Sequence, residues 1–380
     1  MNWGRSPLSI GRDSQCNWPE ESPQNGFMTR PPCVRFSSQE RKGARKLPTP
    51  KSIDANLKPW ENFSDRRWET LLLGNGLSIN IWSKFKYDSL YRESSLGHEA
   101  QAIFNHLETT NFELCLECLQ HANISLRSLG EPTIRIDDTY SQVRDALFDT
   151  VSKVHVPRRA IPETTVEKLS VELSGYRRIF TTNYDLIPYW SQFSRGDSKP
   201  PRLVDFFWSN GTQFDSSDTD LYHPGRSPIF YVHGAVHLWQ DELSGRNGKW
   251  TSGHSHLLDI RSKYHASSTR RPLFISEGTW RGKLQSIRQS EYLSFCYREL
   301  RKDTRPMVIF GSSLSEQDEH IVAAVNAGEP KPIAVSMLPT SEPDLIAEKA
   351  RIARLLAKHE VHFFDSTTHP LGSATLDADI

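Results

Sequence analysis

The 380-residue chain balances 46 Lys and Arg against 46 Asp and Glu, giving a formal net charge of zero, so no global field draws it to nucleic acid or to an anionic membrane surface. No apolar run approaches the roughly 18 residues of a membrane-spanning helix, and the first thirty residues lack a signal peptide's apolar stretch. A cytoplasmic protein with a small or neutral partner is expected, and its length allows one large domain or two smaller ones. Five cysteines, at 16, 33, 115, 118 and 296, are odd in number and scattered. They read as reduced thiols rather than a disulfide framework.

Residues 1–60 are rich in Pro, Ser, Arg, Asn and Gln and include the basic stretch Arg41-Lys42-Gly43-Ala44-Arg45-Lys46. Such a composition cannot bury enough apolar surface to offset the entropy of ordering, so a disordered tail is expected there. One ordered domain is expected over residues 61–380. Short apolar, β-rich runs then recur at Thr70–Leu73, Arg178–Thr181, Ile229–Val232, Pro272–Ile275, Met307–Phe310, Pro332–Val335 and Val361–Phe364. Helical patterns separate most of them, among them Leu77–Phe85, Phe112–His121, Thr139–His155, Tyr292–Leu300, Gln317–Ala327 and Pro343–His359. Buried runs of four or five residues alternating with helices predict an α/β, doubly wound, mostly parallel sheet covered on both faces. Residues from about 90 to 175 hold several helices and no strand pattern, which predicts a helical insertion. The polar stretch Asp241–Thr269 reads as a long functional loop.

Four strand ends carry chemistry. Leu73-Gly74-Asn75-Gly76-Leu77-Ser78 runs from a strand through a Gly-x-Gly turn into a helix; the glycines let backbone approach a pyrophosphate or simply make a tight turn. Asn80 stands near where the third glycine of a G-x-G-x-x-G fingerprint would fall, so a different dinucleotide geometry is required. Thr181-Thr182-Asn183-Tyr184-Asp185 ends a second strand on polar groups, at the sheet edge where ligands bind in open parallel sheets; helix capping by Asn183 or Asp185 is the bland alternative. His233 ends a third strand before Gly234 and is a candidate general base, or a hydrogen-bonded structural histidine. The His233-x-x-x-His237 spacing lacks the Glu of H-E-x-x-H, and no metal is expected there. Gly311-Ser312-Ser313 leads a fourth strand into a helix with an acidic first turn, placing amides and hydroxyls where they could hold ribose or phosphate oxygens.

Taken in order, Gly74-Asn75-Gly76-x-Ser78, Thr181-Thr182-Asn183-Tyr184-Asp185, His233-Gly234 and Gly311-Ser312-Ser313-Leu314 resemble the four signatures of the sirtuin superfamily, whose fold is Rossmann-like. Residues 68 to about 372 more closely resemble an uncharacterised bacterial family of the sirtuin-like clan. That resemblance adds His237-Leu238, Ser276-Glu277-Gly278-Thr279, Glu316-Gln317-Asp318-Glu319-His320 and the terminal Thr368-His369-Pro370-Leu371-Gly372.

The resemblance implies an NAD ligand and no metal. Gly74, Asn75, Gly76 and Ser78 would cradle the pyrophosphate. Asn183 and Asp185 would hold the nicotinamide ribose and orient a water, His233 would act on a ribose hydroxyl or that water, and Gly311 with Ser312 or Ser313 would contact the adenosine half. Thr182, also placed at the nucleotide, stands where deacylases have glutamine. The paired Cys-x-x-Cys zinc sites of deacylases are missing; Cys115-x-x-Cys118 is a single pair read as buried helical packing. An NAD glycohydrolase releasing nicotinamide and ADP-ribose is the activity the resemblance implies first, an activity used in bacterial defence against phage. A non-catalytic NAD or ADP-ribose sensor and a zinc-free deacylase are the alternatives. Composition leaves a homo-oligomer open.

Overall fold

The computed structural model describes residues 53–193, 202–207, 211–218, 222–251, 263–264, 267, 269–276 and 278–378. The tail expected over residues 1–60 lies outside them up to residue 52, as do Cys16, Cys33, Glu277 and much of the Asp241–Thr269 stretch. Just before residue 61 the chain is tied to its C-terminal part: Lys58 bridges Phe364 in parallel, and Trp60 donates its backbone N–H to Thr368 Oγ1 at 2.8 Å.

Among the described residues, ten strands run β1 (Thr70–Leu73), β2 (Arg178–Thr181), β3 (Arg202–Val204), β4 (Arg226–Tyr231), β5 (Gly234–Asp241), β6 (Asn247–Lys249), β7 (Arg270–Phe274), β8 (Met307–Phe310), β9 (Pro332–Met337) and β10 (Glu360–Asp365). Seven form one sheet in the order β10-β9-β8-β1-β2-β4-β3, with every pairing parallel. The remaining three form a small antiparallel sheet, β6-β5-β7. The α/β, doubly wound, mostly parallel architecture expected from the alternating pattern, Rossmann-like as the resemblance implies, is what the chain adopts.

Because the main sheet is covered on both faces, its central strands carry consecutive rather than alternating apolar residues. Leu71, Leu72 and Leu73 of β1, Val308 and Ile309 of β8, and Ile179 and Phe180 of β2 are all fully buried. Phe180 stacks on Phe230 of β4 with ring centroids 4.6 Å apart. Each such side chain contributes roughly 1.5–3 kcal/mol relative to exposure.

Between β1 and β2 lie α1 (Gly76–Ile81), α2 (Tyr87–Glu93), α3 (His98–His106), α4 (Phe112–Leu129), α5 (Ile134–Val154) and α6 (Glu163–Ser174). Helix α4 starts where the Asn111 side chain accepts from Glu113 N–H, and it stops at Gly130, whose φ of 75° only glycine adopts readily. After β2 come the short α7 (Ile187–Trp190), then α8 (Trp280–Gln289), α9 (Glu291–Lys302), α10 (Glu319–Ala327) and α11 (Glu342–Leu355). Thr279, Ser290 and Ser341 cap α8, α9 and α11 by accepting backbone N–H bonds.

Two departures from the sequence pattern share a cause. The run Pro272–Ile275 was expected in the main sheet but pairs instead with β5, and β5 itself was not expected. At Gly234, with φ of 73°, the chain turns directly out of β4 into the antiparallel sheet. A Cβ there would stand 2.1 Å from Leu273 O of β7, so the pairing of β5 with β7 begins at a position open to glycine.

The strand order reverses at β1: later strands up to β4 lie on one side, and β8 to β10 on the other. That switch point opens a crevice at the carboxyl ends of β1 and β8. There the two turns touch backbone to backbone. Gly74 N–H donates to Phe310 O at 2.9 Å and Gly76 N–H to Gly311 O at 2.8 Å. A Cβ on Gly74 would lie 2.5 Å from Gly311 O, and one on Gly76 would lie 2.6 Å from Gly311 Cα. Gly74→Ala is expected to lower stability by roughly 1–3 kcal/mol through overpacking against backbone that cannot yield. Urea unfolding of the variant checks this, and an unchanged midpoint would show that the turns do not meet as described.

Candidate functional site

The crevice holds a cleft of about 340 Å³. Its floor is the first turn, Gly74 to Gly76; one side is Thr182 to Asp185 beyond β2, with His233 beyond β4; the other is Gly311 to Ser313 beyond β8. The expected glycines, Asn75, Thr182, Asn183, Asp185, His233, Gly311, Ser312 and Ser313 therefore converge from four strand ends. A second cavity of about 430 Å³ adjoins it, sharing Gly76, Ile79, Gly311, Ser312 and Ser313 and continuing over Met337, Leu345 and Ile352. The Gly311–Ser313 turn is thus the rim common to both.

The glycine amides do not face the cleft, because Gly74 N–H and Gly76 N–H are spent on the β8 turn. What the glycines supply is missing Cβ bulk. Among the described residues, the N–H groups of Asn75, Ser312 and Ser313 carry no intramolecular hydrogen bond and remain for a ligand.

Ser78 departs from expectation. It is fully buried, does not line the cleft, and sits beneath it: its hydroxyl donates to Asp185 Oδ2 at 2.5 Å and accepts from Asn183 Nδ2 at 2.9 Å. A serine hydroxyl has one proton to give. Once that proton goes to the carboxylate, Ser78 can only accept from Asn183, which turns the amide NH₂ inward. Asn183 Oδ1 is left buried without a partner, on a residue that lines the cleft. Asp185 is also tied down, with Oδ1 accepting from Ile187 N–H at 2.8 Å. Burial raises its pKa, while the Ser78 and Ile187 hydrogen bonds pull it down. Asp185 therefore anchors the Ser78–Asn183 arrangement from below.

His233 is buried, and its Nε2 lies 2.8 Å from Nε2 of His320. Beside them Lys283, 1% exposed, bridges Asp318 at 3.0 Å and Glu113 at 3.1 Å. Burial holds His233 well below the usual histidine range, with His320 adding to the effect. Asp318 is held down at about 2 by Lys283 and the two imidazoles against its own burial, whereas burial raises Glu113. His233, Asp318 and His320 bring potential ligand atoms within 4.8 Å of one another, a donor set that can take a metal ion only in competition with Lys283. His237 does not join them: it lies in β5 with Tyr189 at 4.5 Å between ring centroids.

Sequence reasoning missed the wall that the helices build. Tyr87 and Leu90 of α2, and Asn111 and Glu113 at the start of α4, line the cleft with Gln317 and Asp318. Asn111 and Glu113 carried a visible signal, a capping Asn before an acidic first turn, but capping alone accounts for both. Asn80, where a third glycine was sought, donates to Leu371 O and Ser373 O and so pins the terminal Thr368–Gly372 segment beside α1. Of the cysteine pair in α4, Cys115 is buried and Cys118 exposed, so only one of them packs inside.

A parallel sheet whose switch point opens into two adjoining cavities defines a doubly wound α/β protein with a ligand cleft in the usual place. Residues 71–371 match the family described as "Domain of unknown function (DUF4917)", and the chain belongs to that family. Among solved structures it is similar to Sir2 proteins. One, solved for the mechanism and regulation of Sir2 enzymes, has 10% identity and a TM-score of 0.35, with 83% of this chain and 93% of that one covered. A Sir2 mutant with a p53 peptide and NAD has 12% identity and a TM-score of 0.32, covering 84% and 96%. Sir2Tm bound to a propionylated peptide has 13% identity and a TM-score of 0.31, covering 78% and 97%. No curated protein matches the sequence. Among the described residues, no helix is long and apolar enough to cross a membrane.

Buried neutral histidines give the fold a pH limit. His155, whose Nε2 accepts from Leu186 N–H at 2.8 Å, is lowered by burial to about 4; His320 is lowered to about 4 and His369 to about 3. Their unfolded values lie near 6.5. The unfolded chain therefore binds more protons as pH falls below 6.5, and the stability present above that pH is lost progressively down to the folded values. Each histidine contributes on the order of 1.4 kcal/mol per pH unit in that window. Urea unfolding at pH 7.5 and pH 5 should show a drop of several kcal/mol. Equal stability at the two values would mean that these rings are protonated in the fold.

Proposed function

We propose that the chain binds NAD across the two cavities and hydrolyses the bond between the nicotinamide ring and its ribose, releasing nicotinamide and ADP-ribose. The observation that carries this reading is Asn183 Oδ1, a buried acceptor without a partner in the cleft. A buried polar atom left unpaired is costly, and a ribose hydroxyl or a water would satisfy it. The order of strand-end motifs resembling sirtuins supplies the choice of dinucleotide.

In this reading the pyrophosphate lies over the glycine turns, where no Cβ keeps it away and the Asn75, Ser312 and Ser313 amides are free. The nicotinamide ribose reaches Asn183, and the adenosine half extends past Ser312 and Ser313 into the second cavity. Breaking the glycosidic bond sends its electron pair to nicotinamide, which leaves neutral while positive charge develops on the ribose. Positioning and nearby negative charge matter more here than a strong acid. Asp185 lies beneath the ribose, Asn183 orients the attacking water, and His233 takes the proton that the water loses. Atoms and charge balance as NAD⁺ and water giving ADP-ribose, nicotinamide and one proton.

The test is incubation with NAD, with nicotinamide and ADP-ribose followed by chromatography. Asn183→Ala is expected to reduce turnover about 100-fold or more, in line with loss of a positioned group in proton transfer. Ser78→Ala, which frees the Asn183 amide to rotate, should cost roughly 10-fold. Calorimetric binding of NAD without release would instead support a nucleotide-sensing domain. Neither binding nor release would remove the dinucleotide reading.

A further inference from the structure

Among the described residues no Lys or Arg lines either cavity, so a pyrophosphate there relies on neutral donors, above all backbone N–H groups, and what aims them sets its affinity. The turn after β8 is their main source. Gly311 and Leu314 have φ of 69° and 48°, and a non-glycine residue stays in that left-handed region only where its surroundings hold it. The Leu314 side chain is buried, which anchors the turn at one point. Arg351 on α11 holds it at two more.

Nη1 of Arg351 donates to Leu314 O at 2.7 Å, and Nη2 donates to Ser313 O. The side of the guanidinium that bears Nε pairs with Glu348, Nε to Oε2 at 2.8 Å and Nη2 to Oε1 at 2.6 Å. Four of the five N–H donors are thereby used, and the planar fork is fixed in orientation. Across a trans peptide the C=O and N–H point in opposite directions. With the Leu314 carbonyl held toward Arg351, the Ser315 N–H is turned away from α11. Ser315 lines the first cavity, and its N–H carries no intramolecular hydrogen bond. The bond to the Ser313 carbonyl turns the Leu314 N–H in the same way, onto Ser312 Oγ at 3.3 Å, which closes the turn on itself.

We propose that Arg351 is the positioning residue of the phosphate-binding turn: by drawing the Ser313 and Leu314 carbonyls to α11, it aims the Ser315 amide into the cleft and fixes the backbone that carries the Ser312 and Ser313 amides. The inference rests on the NAD reading and deepens it, adding Ser315 to the ligand contacts. Arg351 lines neither cavity, so it acts through the turn and does not touch the ligand. Asn183 Oδ1, buried and unpartnered in the same cleft, independently marks the space these amides face as a ligand's.

The test uses the full chain with ADP-ribose as the probe, a product of the proposed reaction. Calorimetry gives its affinity, and ¹⁵N amide spectra assigned at Ser312, Ser313 and Ser315 report which N–H groups it meets. In the wild type all three resonances are expected to shift. Arg351→Met keeps the apolar stem and removes the fork; its Kd for ADP-ribose should rise roughly 10–100-fold, and the Ser315 shift should vanish at saturation. Arg351→Lys, which can reach one carbonyl, should fall between. With NAD as substrate, Arg351→Met should raise KM by a similar factor and leave kcat within about threefold. A variant that was merely less stable would lose kcat through its folded fraction and keep KM. Wild-type binding that leaves the three amides unmoved overturns the proposal while the dinucleotide reading stands, and so does an unchanged Kd in Arg351→Met. If that variant does not fold, Arg351→Lys and the wild-type spectrum decide; if NAD is bound but not turned over, the affinities and spectra decide. If the wild type binds no ADP-ribose, the dinucleotide reading fails first and the proposal falls with it.

Discussion

The contact between the Gly74–Gly76 turn and Gly311 is the constraint from which the site follows. Two polypeptide backbones meet there at distances that leave no room for a Cβ on any of the three residues, and Gly74 and Gly76 each donate a hydrogen bond across the sheet's switch point. That contact fixes where α1 departs from β1. Ser78 on α1 is thereby delivered under the β2 end, where it meets both Asp185 and Asn183. The hydroxyl's single proton then sets which way the Asn183 amide turns. A steric requirement at the sheet edge is converted, in three steps, into the direction of one carbonyl oxygen.

Charge in the cleft is arranged by burial as much as by pairing. Burial raises the pKa of Asp185 above its ordinary value, and the hydrogen bonds from Ser78 and Ile187 offset only part of that rise. Beside His233, Lys283, Glu113 and Asp318 form a group in which the ammonium cannot satisfy both acids equally: burial raises Glu113, while Lys283 keeps Asp318 low. Removing one member of such a group leaves an uncompensated charge, which typically costs several kcal/mol. The helices between β1 and β2 are therefore attached to the cleft electrostatically through Glu113, as well as through Tyr87 and Leu90.

Legibility in the sequence followed the physics of each element. Strands buried on both faces announce themselves as continuous apolar runs, so β1, β2 and β8 were readable to the residue. The antiparallel sheet was not, because Gly234 lets one strand follow another without the polar loop that marks a boundary, and because β6 spans only Asn247–Lys249, too short for any period. Polar groups at strand ends were legible as a set, since open parallel sheets bind ligands there. Their individual duties were less so. Ser78 lies on the inward face of a six-residue helix and differs in no sequence feature from a serine facing a phosphate. His320 and Lys283 reach His233 from helices distant in the chain, and a helical His or Lys carries no signature of the partner it will meet.

The placement of β1 at the centre of the sheet has a consequence for how the chain is made. Thr70 hydrogen-bonds Asp303 across 233 residues of sequence, and just beyond Asp303 β8 pairs in full register with β1. At synthesis rates of roughly 5–20 residues per second, β1 waits on the order of 10–50 s for its second neighbour. During that interval one edge of Leu71-Leu72-Leu73 is an open, apolar strand.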